Sequence, residues 1–573
     1  MARVNDEVAE ILQEYADLVA ITGGEAYKVR AYEKATRAVA GHHADLASMD
    51  AAELRTIPNV GKALAEKIAA YLSTGSIPQV EKLRDQIPDG VRRLTAIPTL
   101  GPKKALLLYQ ELQVSSVEEL AAAIDAGRLR DLKGFGEKTE ENIRHGIASL
   151  ESTGERVKID VAMEQAEDVV ARLAEVPGCE KCAYAGSLRR MRETIGDVDI
   201  LAAAHGSTAL MDAFCELPQV REVIARGETK TSIRTTAGLQ MDLRVVPPVA
   251  WGAAMQYFTG SKAHNIRTRE MAVRAKLRLS EYGLFDTETD ERIVSATEAE
   301  VYERLGLPWI PPALREDRGE IEAALAGELP TPVTEADLRG DLHTHTDLTD
   351  GVSSLETMVA TAAERGYEYV AVTDHAPNLV MQRMTDEKIL AQREQLARLA
   401  DSYPGMTLLH GTELNIDPDG EVDWPGDFLA GFDVCVASVH SHFTQDEQAM
   451  TRRIVRACEN PYVNVIGHPT GRKLGKRPGV EVDLDAVFEA CARTGTALEV
   501  NAHPDRLDLR DDHIMRAKRY GVKFAIDSDS HATNHMALIR YGVGSAQRGW
   551  LTPDDVVNTW PLDRLRAFLR KDR

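Results

Sequence analysis

The sequence predicts a multidomain protein: an all-α front, a mixed α/β middle and a C-terminal barrel of βα units. Three observations predict it. Up to about residue 150, Ala, Leu, Glu and Lys dominate, with brief Gly/Pro punctuation, so this region is read as helical. From about 155 to 315, short β-branched runs such as 198–203 and 241–246 alternate with helical ones, which suggests an α/β unit with a mixed or antiparallel sheet. From about 338 onward, short strands ending in His, Asp or Glu alternate with helices, at 369–373, 407–410, 434–439, 463–466, 497–500 and 523–526. Ligand-type residues at strand C-termini of repeated βα units suggest a barrel with its site on that face.

A chain of 573 residues is long enough for several domains. It has no run of about 18 apolar residues, and its N-terminus lacks the apolar core of a signal peptide. Six cysteines do not suggest a disulfide scaffold, so a cytoplasmic monomer away from membranes is expected. Cys179-Glu-Lys-Cys182 resembles half a zinc site, but no second pair completes it, and free thiols are expected. The net charge of −22 argues weakly against nucleic acid. Cation-loaded carboxylates present a less negative surface, and basic groups such as Arg189-Arg190 and Lys103-Lys104 are local.

Inside the helical region a single pattern recurs, as Ile57-Pro-Asn-Val-Gly61-Lys, Ile97-Pro-Thr-Leu-Gly101-Pro-Lys and Leu132-Lys-Gly-Phe-Gly136-Glu-Lys. Each is an apolar residue, a tight turn ending in glycine, and a helix start. This resembles the helix-hairpin-helix motif, in which Gly61, Gly101 and Gly136 let the backbone approach and free N–H groups bind a DNA phosphate. Three copies favour phosphate binding over three plain helix connections.

In the middle, Gly186-Ser187 can bring backbone N–H groups to a phosphate. Asp197 and Asp199 flank Val198, so on a strand both carboxylates share one face. Asp242, in Met241-Asp-Leu-Arg-Val-Val, can meet them from a neighbouring strand. Three carboxylates can hold two Mg²⁺ or Mn²⁺ about 4 Å apart, the arrangement that aligns a 3′-oxygen with a triphosphate. Nucleotidyl transfer is therefore favoured over a solvated acidic face.

The C-terminal region opens with Asp341-Leu-His-Thr-His-Thr-Asp-Leu-Thr-Asp-Gly351, whose two histidines project to the same side of a strand. Eleven of the sixteen histidines follow residue 338. That concentration points to a multinuclear metal site.

On these residues, the signature Gly186-Ser187…Gly196-Asp-Val-Asp199, Asp242, and Tyr257-Phe-Thr-Gly260-Ser followed by Asn265, residues 1–318 resemble a family X DNA polymerase. Residues 338–573 resemble a PHP (polymerase and histidinol phosphatase) domain, and together they resemble bacterial PolX over nearly the whole chain. The resemblance implies a helix-hairpin-helix region, a nucleotidyltransferase palm and a distorted (β/α)7 barrel. Its divisions are 1–85 and 86–150 (helical, DNA-binding), 151–248 (palm), 249–318 (nascent-base-pair subdomain), 319–337 (linker) and 338–573 (PHP). It implies that Ser187, Arg190 and Gly196 contact the dNTP β/γ-phosphates, that Gly186 and Gly260 belong to the same nucleotide site, that Tyr257 and Phe258 shape the sugar pocket, and that Asn265 reaches the base. His264 stands where the animal polymerase has an aromatic residue. Lys67 aligns with the Schiff-base lysine of the animal repair polymerase, and Lys28 is a candidate partner for a 5′-phosphate. The implied PHP ligands are His343, His345, Asp350, His375, Glu413, His440, His468, Asp529 and His531, a mixed N/O set suited to about three Mn²⁺ or Zn²⁺.

By the same reading, His410, His503, His513 and His535 are surface or supporting groups, and His442 is open. Asp347 and Asp374 orient ligands rather than bind metal. Arg472, Lys473, Lys476 and Arg477 either guide a DNA end or form a solvated loop. The expected function is short-gap filling in base excision repair on gapped or nicked DNA with dNTPs. A metal-dependent 3′→5′ exonuclease is expected beside it, with AP-endonuclease and 3′-phosphatase activity as extensions. The alternatives are a small-molecule phosphatase with a regulatory front region, and a DNA-end-binding scaffold with vestigial catalysis.

Overall fold

A computed structural model describes residues 4–571 except 41–45, 58, 85, 96, 98–99, 131, 133–134, 137–138, 141–142, 145–146, 148–155 and 380–383. The chain divides into two compact units, 1–155 and 156–573. None of the described helices is long and apolar enough to cross a membrane.

Every regular element of the first unit, among its described residues, is a helix. One apolar core, including Leu12, Ile57, Val60, Ile68, Ile97, Leu100, Leu108 and Phe135, runs through both of the expected helical divisions, so position 85 does not separate two cores. The three glycine motifs fold alike. Val60 N–H donates to Ile57 O, Leu100 to Ile97 O and Phe135 to Leu132 O, and of these six apolar residues all but the partly buried Leu132 are buried. The glycine that follows accepts the first helical hydrogen bonds, from Leu64 and Ala65, Lys104 and Ala105, and Thr139 and Glu140. Several motif positions (Pro58, Pro98, Thr99, Lys133, Gly134, Glu137 and Lys138) lie outside the described residues.

The second unit begins with a five-stranded mixed sheet. Its order is Lys181–Tyr184, Asp197–Ala203, Gln240–Val246, Lys230–Thr235, Val220–Arg226. The pair Asp197–Ala203 and Gln240–Val246 is parallel, and the other pairs are antiparallel. The helix Ile159–Ala174 buries Ile159, Met163, Ala166, Val169 and Leu173, spaced at the helical period, in the core this sheet shares. A three-stranded antiparallel sheet (Leu277–Ser280, Gly283–Asp286, Arg292–Val294) follows, with the helices Trp251–Thr259 and Lys262–Arg274.

The stretch 319–337 is not the spacer the sequence suggests. It forms the helix Glu320–Ala326, and Glu320 is fully buried. Glu320 Oε1 lies 2.7 Å from His264 Nδ1, and its carboxylate accepts the N–H groups of Asp317 and Arg318. Its composition looks loose because its partners, His264 and through it Tyr302 (2.8 Å), are remote in sequence.

Seven parallel strands then follow in chain order: Gly340–Asp341, Tyr369–Val372, Thr407–Asn415, Val434–Ser438, Val465–Ile466, Ala497–Asn501 and Phe524–Asp527. The first and last meet at their C-terminal ends, through a Thr344–Ser530 bridge. At the other end Asn558 acts as a peptide substitute in the gap. Its Nδ2 donates to Gly340 O (3.0 Å) and Ile526 O (2.6 Å), and its Oδ1 accepts Ile526 N–H (3.0 Å). Asn558 is fully buried, so Asn558→Ala leaves three buried backbone groups unpaired. At about 1–3 kcal/mol for a stranded group, with partial relaxation, the expected loss is about 2–4 kcal/mol. Denaturant unfolding of the second unit's transition measures it.

Candidate active sites

The strand Asp197–Ala203 carries Asp197 and Asp199 on one face, and its parallel register sets Asp199 directly beside Asp242. Gly186 closes this corner. It has φ +61°, and a Cβ there would lie 2.5 Å from Asp199 Oδ2, so both backbone and space demand glycine. The half-buried Asp199 carboxyl is pushed up to about 7, first by loss of water and then by the charges of Asp197 and Asp242. A corner that resists its own ionisation suits a cation. Asp242 is taken up by Lys230 Nζ at 2.5 Å and by Gln240 Nε2 at 3.1 Å. Lys230, which the sequence reading missed, supplies positive charge where a metal would.

The loop after Gly186 presents Arg190. Its Nε donates to Glu316 Oε1 (3.0 Å) and its Nη1 to Thr259 O (2.6 Å), whereas Nη2 makes no protein hydrogen bond among the described residues. Gly260, at φ +68°, leaves room for this guanidinium: a Cβ would lie 3.1 Å from Arg190 Nη1. A Cβ at Gly196 would lie 3.1 Å from Arg156 Nη1. Arg189 instead pairs with Glu298 (2.7 Å), which also holds the buried Arg315 (2.6 Å). Tyr257 and Phe258 pack edge to face, under Arg269 and Arg244. Asn265 Nδ2 donates to Tyr257 O (2.6 Å), and its Oδ1 accepts Gln256 Nε2 (3.0 Å). His264 turns into the core toward Glu320 and Tyr302 rather than substituting for a base-packing ring.

At the barrel's C-terminal rim all nine expected ligands converge. Glu413 is the hub. Its Oε2 lies 2.9 Å from His375 Nδ1, 3.5 Å from His343 Nε2 and 3.6 Å from His345 Nε2, and its Oε1 lies 3.1 Å from both His440 Nε2 and His468 Nε2. Asp350 lies 3.3 Å from His375 Nε2 and 3.4 Å from His531 Nε2, and Asp529 lies 3.3 Å from His345 Nε2. Among the described residues, three groups have geometry able to hold an ion: His345, Asp350, His375 and His531; His343, His345 and Asp529; and His375, Glu413 and His440. Among the described residues, His343 Nε2, both ring nitrogens of His345 and His468 Nδ1 are buried without a hydrogen-bond partner. Buried ring nitrogens left unpaired beside carboxylates are the donor set of a divalent-metal cage. Glu413 is held well below the usual carboxylate range: burial opposes this, and His440, His375 and His343 outweigh it.

Supporting groups are in place, and the sequence reading missed most of them. Glu499 is fully buried, with Oε1 2.6 Å from His343 Nδ1, and Oε2 accepts the His468 N–H. Asn415 Oδ1 lies 2.7 Å from His440 Nδ1, and Asn501 Nδ2 donates to Glu499 and Asp529 (both 3.0 Å). Asp374, expected as an orienting acid, accepts Thr346 N–H, the Thr346 and Thr349 hydroxyls and Gln392 Nε2. His442 is exposed, with its ring Nδ1 3.0 Å from Ser441 Oγ, whereas His410 is buried against Phe432 and Arg393.

The basic loop is not a uniform guide for DNA. Arg472 is buried, donating to Glu193 Oε2 (2.7 Å) and to Leu507 O, and Arg477 stacks on Phe443. In the first unit, Lys67 Nζ sits 6.0 Å from the Tyr32 ring centroid, and Lys28 is exposed and paired with Glu25 (3.2 Å). Among the described residues, Cβ atoms added at Gly61, Gly101 and Gly136 would meet nothing within 4 Å. None of the six cysteines, Cys179 and Cys182 included, is in a disulfide.

Residues 3–77 match a helix-hairpin-helix domain, 91–149 a SAM-like helix-hairpin-helix tandem, 254–316 the DNA polymerase beta thumb and 341–503 the PHP domain. A Bacillus subtilis protein named DNA polymerase/3′-5′ exonuclease PolX is 35% identical over 570 residues, 99% of each chain. A probable phosphatase of Syntrophotalea carbinolica is 31% identical over 229 residues, 38% of this chain and 90% of its own. A probable phosphatase of Thermoanaerobacter sp. is 27% identical over 245 residues, 41% of this chain and 95% of its own.

Proposed function

Because the chain belongs to the family X DNA polymerases that carry a PHP domain, we propose that it fills short gaps in DNA with its palm and trims 3′-ends with its barrel. The observation that carries the first half is the in-register placement of Asp199 beside Asp242, with Asp197 on the same face. The matches to probable phosphatases extend over only about two fifths of this chain. A barrel acting alone on small phosphate esters leaves these carboxylates and the three glycine turns without a task.

Divalent cations supply Lewis acidity at both sites, lowering the pKa of the attacking oxygen and offsetting charge on phosphorus. In the palm, Asp197, Asp199 and Asp242 hold them as two Mg²⁺ or Mn²⁺. Gly186, Ser187, Gly196 and Gly260 give the dNTP triphosphate close backbone approach, and the unpartnered Nη2 of Arg190 donates to it. Tyr257 and Phe258, stiffened by the arginines above them, bound the sugar. Asn265 meets the base once its amide leaves Gln256 and Tyr257.

In the barrel, the nine ligands hold about three Mn²⁺ or Zn²⁺. Glu499, Asn415 and Asn501 fix the orientation of His343, His440 and Asp529, so these ligands reorganise little on loading. AP-endonuclease and 3′-phosphatase activity follow if the same cage accepts other 3′-terminal esters. Gly61, Gly101 and Gly136 place helix N–H groups against DNA phosphates, with Lys28 at a 5′-phosphate and Lys67 as the candidate lyase amine.

The test is a 5′-phosphorylated one-nucleotide gap incubated with each metal, with and without dNTPs. The reading expects single-nucleotide extension with dNTPs and 3′-shortening without them. Binding of the gap with neither reaction identifies a scaffold instead.

A further inference from the structure

Three barrel residues grip the loop that carries Arg190. Arg548, at the end of the helix Ile539–Arg548, is buried. Its Nη1 donates to Arg190 O (2.8 Å) and Glu316 Oε1 (2.8 Å), and its Nη2 to Asp511 Oδ2 (2.6 Å). Asp511 is itself braced by Arg318 Nη1 (3.0 Å). Met191 has φ +56°, and its side chain lies on Gly544, where a Cβ would come 2.5 Å from Met191 Cε. Arg472 holds Glu193. Residues 190–193 lie between the Gly186-Ser187 turn and the Asp197–Ala203 strand, so the loop is fixed from outside the palm.

Arg548 acts on Arg190 twice, through its backbone carbonyl and through the Glu316 oxygen that also receives Arg190 Nε. The Glu316 carboxyl is held down to about 2: burial opposes this, and Arg548 and Arg190 outweigh it. An ionised, largely buried carboxylate that holds Arg548 and Arg190, with Arg192 Nη1 4.0 Å away, fixes one guanidinium relative to the other. With Nε on Glu316 and Nη1 on Thr259, the direction of Nη2 is set.

We infer that Arg548 of the barrel is a positioning residue for nucleotide addition: it orients Arg190 toward the incoming triphosphate, so the exonuclease domain sets the dNTP affinity of the polymerase. The inference rests on the reading that Arg190 meets the triphosphate.

The test uses the full-length chain and the variants Arg548→Met, Arg548→Lys and Arg190→Ala. Each is measured for dNTP KM and kcat on a one-nucleotide gap, for 3′-shortening of single-stranded DNA, and for Tm. Arg548→Met should raise dNTP KM by about 10-fold or more, change kcat less, and leave 3′-shortening within about twofold. Arg548→Lys keeps the charge but not the fork and should recover some of the affinity. If Arg190→Ala raises KM and Arg548→Met does not, the inference is overturned while the Arg190 reading survives. If Arg190→Ala leaves KM unchanged, the Arg190 reading itself fails. Equal loss of both activities in Arg548→Met with a lowered Tm makes Arg548 a general strut and also overturns the inference. Should Arg548→Met not fold, Arg548→Lys still decides: wild-type KM for dNTP in that variant contradicts the need for a forked contact.

Discussion

Asp199→Asn is expected to reduce nucleotide addition on a one-nucleotide gap by on the order of 10³-fold or more, while 3′-shortening stays within about twofold of the parent. The amide matches the carboxylate in shape but removes the charge nearest both Asp197 and Asp242. Several kcal/mol of transition-state stabilisation from a bound cation is lost with it. The same change has a second, opposite effect. With no cation bound, burial and the charges of Asp197 and Asp242 push the Asp199 carboxyl from its ordinary 3.8 up to about 7. A carboxyl whose folded pKa is raised binds its proton more tightly in the folded state, so stability falls as pH rises between those values. Asparagine carries no such cost. Melting in a chelator should therefore place Asp199→Asn above the parent at pH 8. The difference should shrink as pH falls below about 7 and vanish near 3.8. Equal melting at pH 8 would show that Lys230 and Arg244 already neutralise this corner.

Glu413→Gln should do the reverse. Five histidines surround this one carboxylate, and a neutral amide there both removes a shared ligand and takes away the charge that balances them. Exonuclease activity is expected to fall by on the order of 10³-fold, and bound Mn²⁺ or Zn²⁺, measured by elemental analysis, should fall as well. Gap filling should remain within about twofold, because no palm carboxylate touches this cage. Unchanged metal content together with lost exonuclease activity would make Glu413 something other than a ligand.

The ligands were legible because they obey a local rule. His343 and His345 follow the strand Gly340–Asp341, and His375, Glu413, His440, His468, Asp529 and His531 stand at or just beyond strand C-termini, so the βα repeat alone brings them together. Asp197 and Asp199 were readable for a period-two reason. Groups that act through long-range contacts were not. Glu499 is an ordinary acid in an apolar strand until the fold sets it against His343. Lys230 acquires meaning only from its antiparallel neighbour strand, which carries Asp242. Arg472 looks like a member of a solvated basic loop, yet it turns inward to Glu193, nearly half the chain away. The supposed linker is folded because Glu320 finds His264. In each case the missing information was a partner far off in sequence, not a residue type.

The central claim is that one chain holds two separate cation centres, one at Asp197, Asp199 and Asp242, the other around Glu413. It is tested most directly by an anomalous-scattering map of crystals grown with Mn²⁺, gapped DNA and a non-hydrolysable dNTP. The account predicts peaks about 2.2 Å from carboxylate oxygens of Asp199 and Asp242, with Lys230 displaced from Asp242, and a second cluster among the barrel histidines. Peaks confined to the barrel, with Lys230 still seated on Asp242 in the presence of nucleotide, would contradict it.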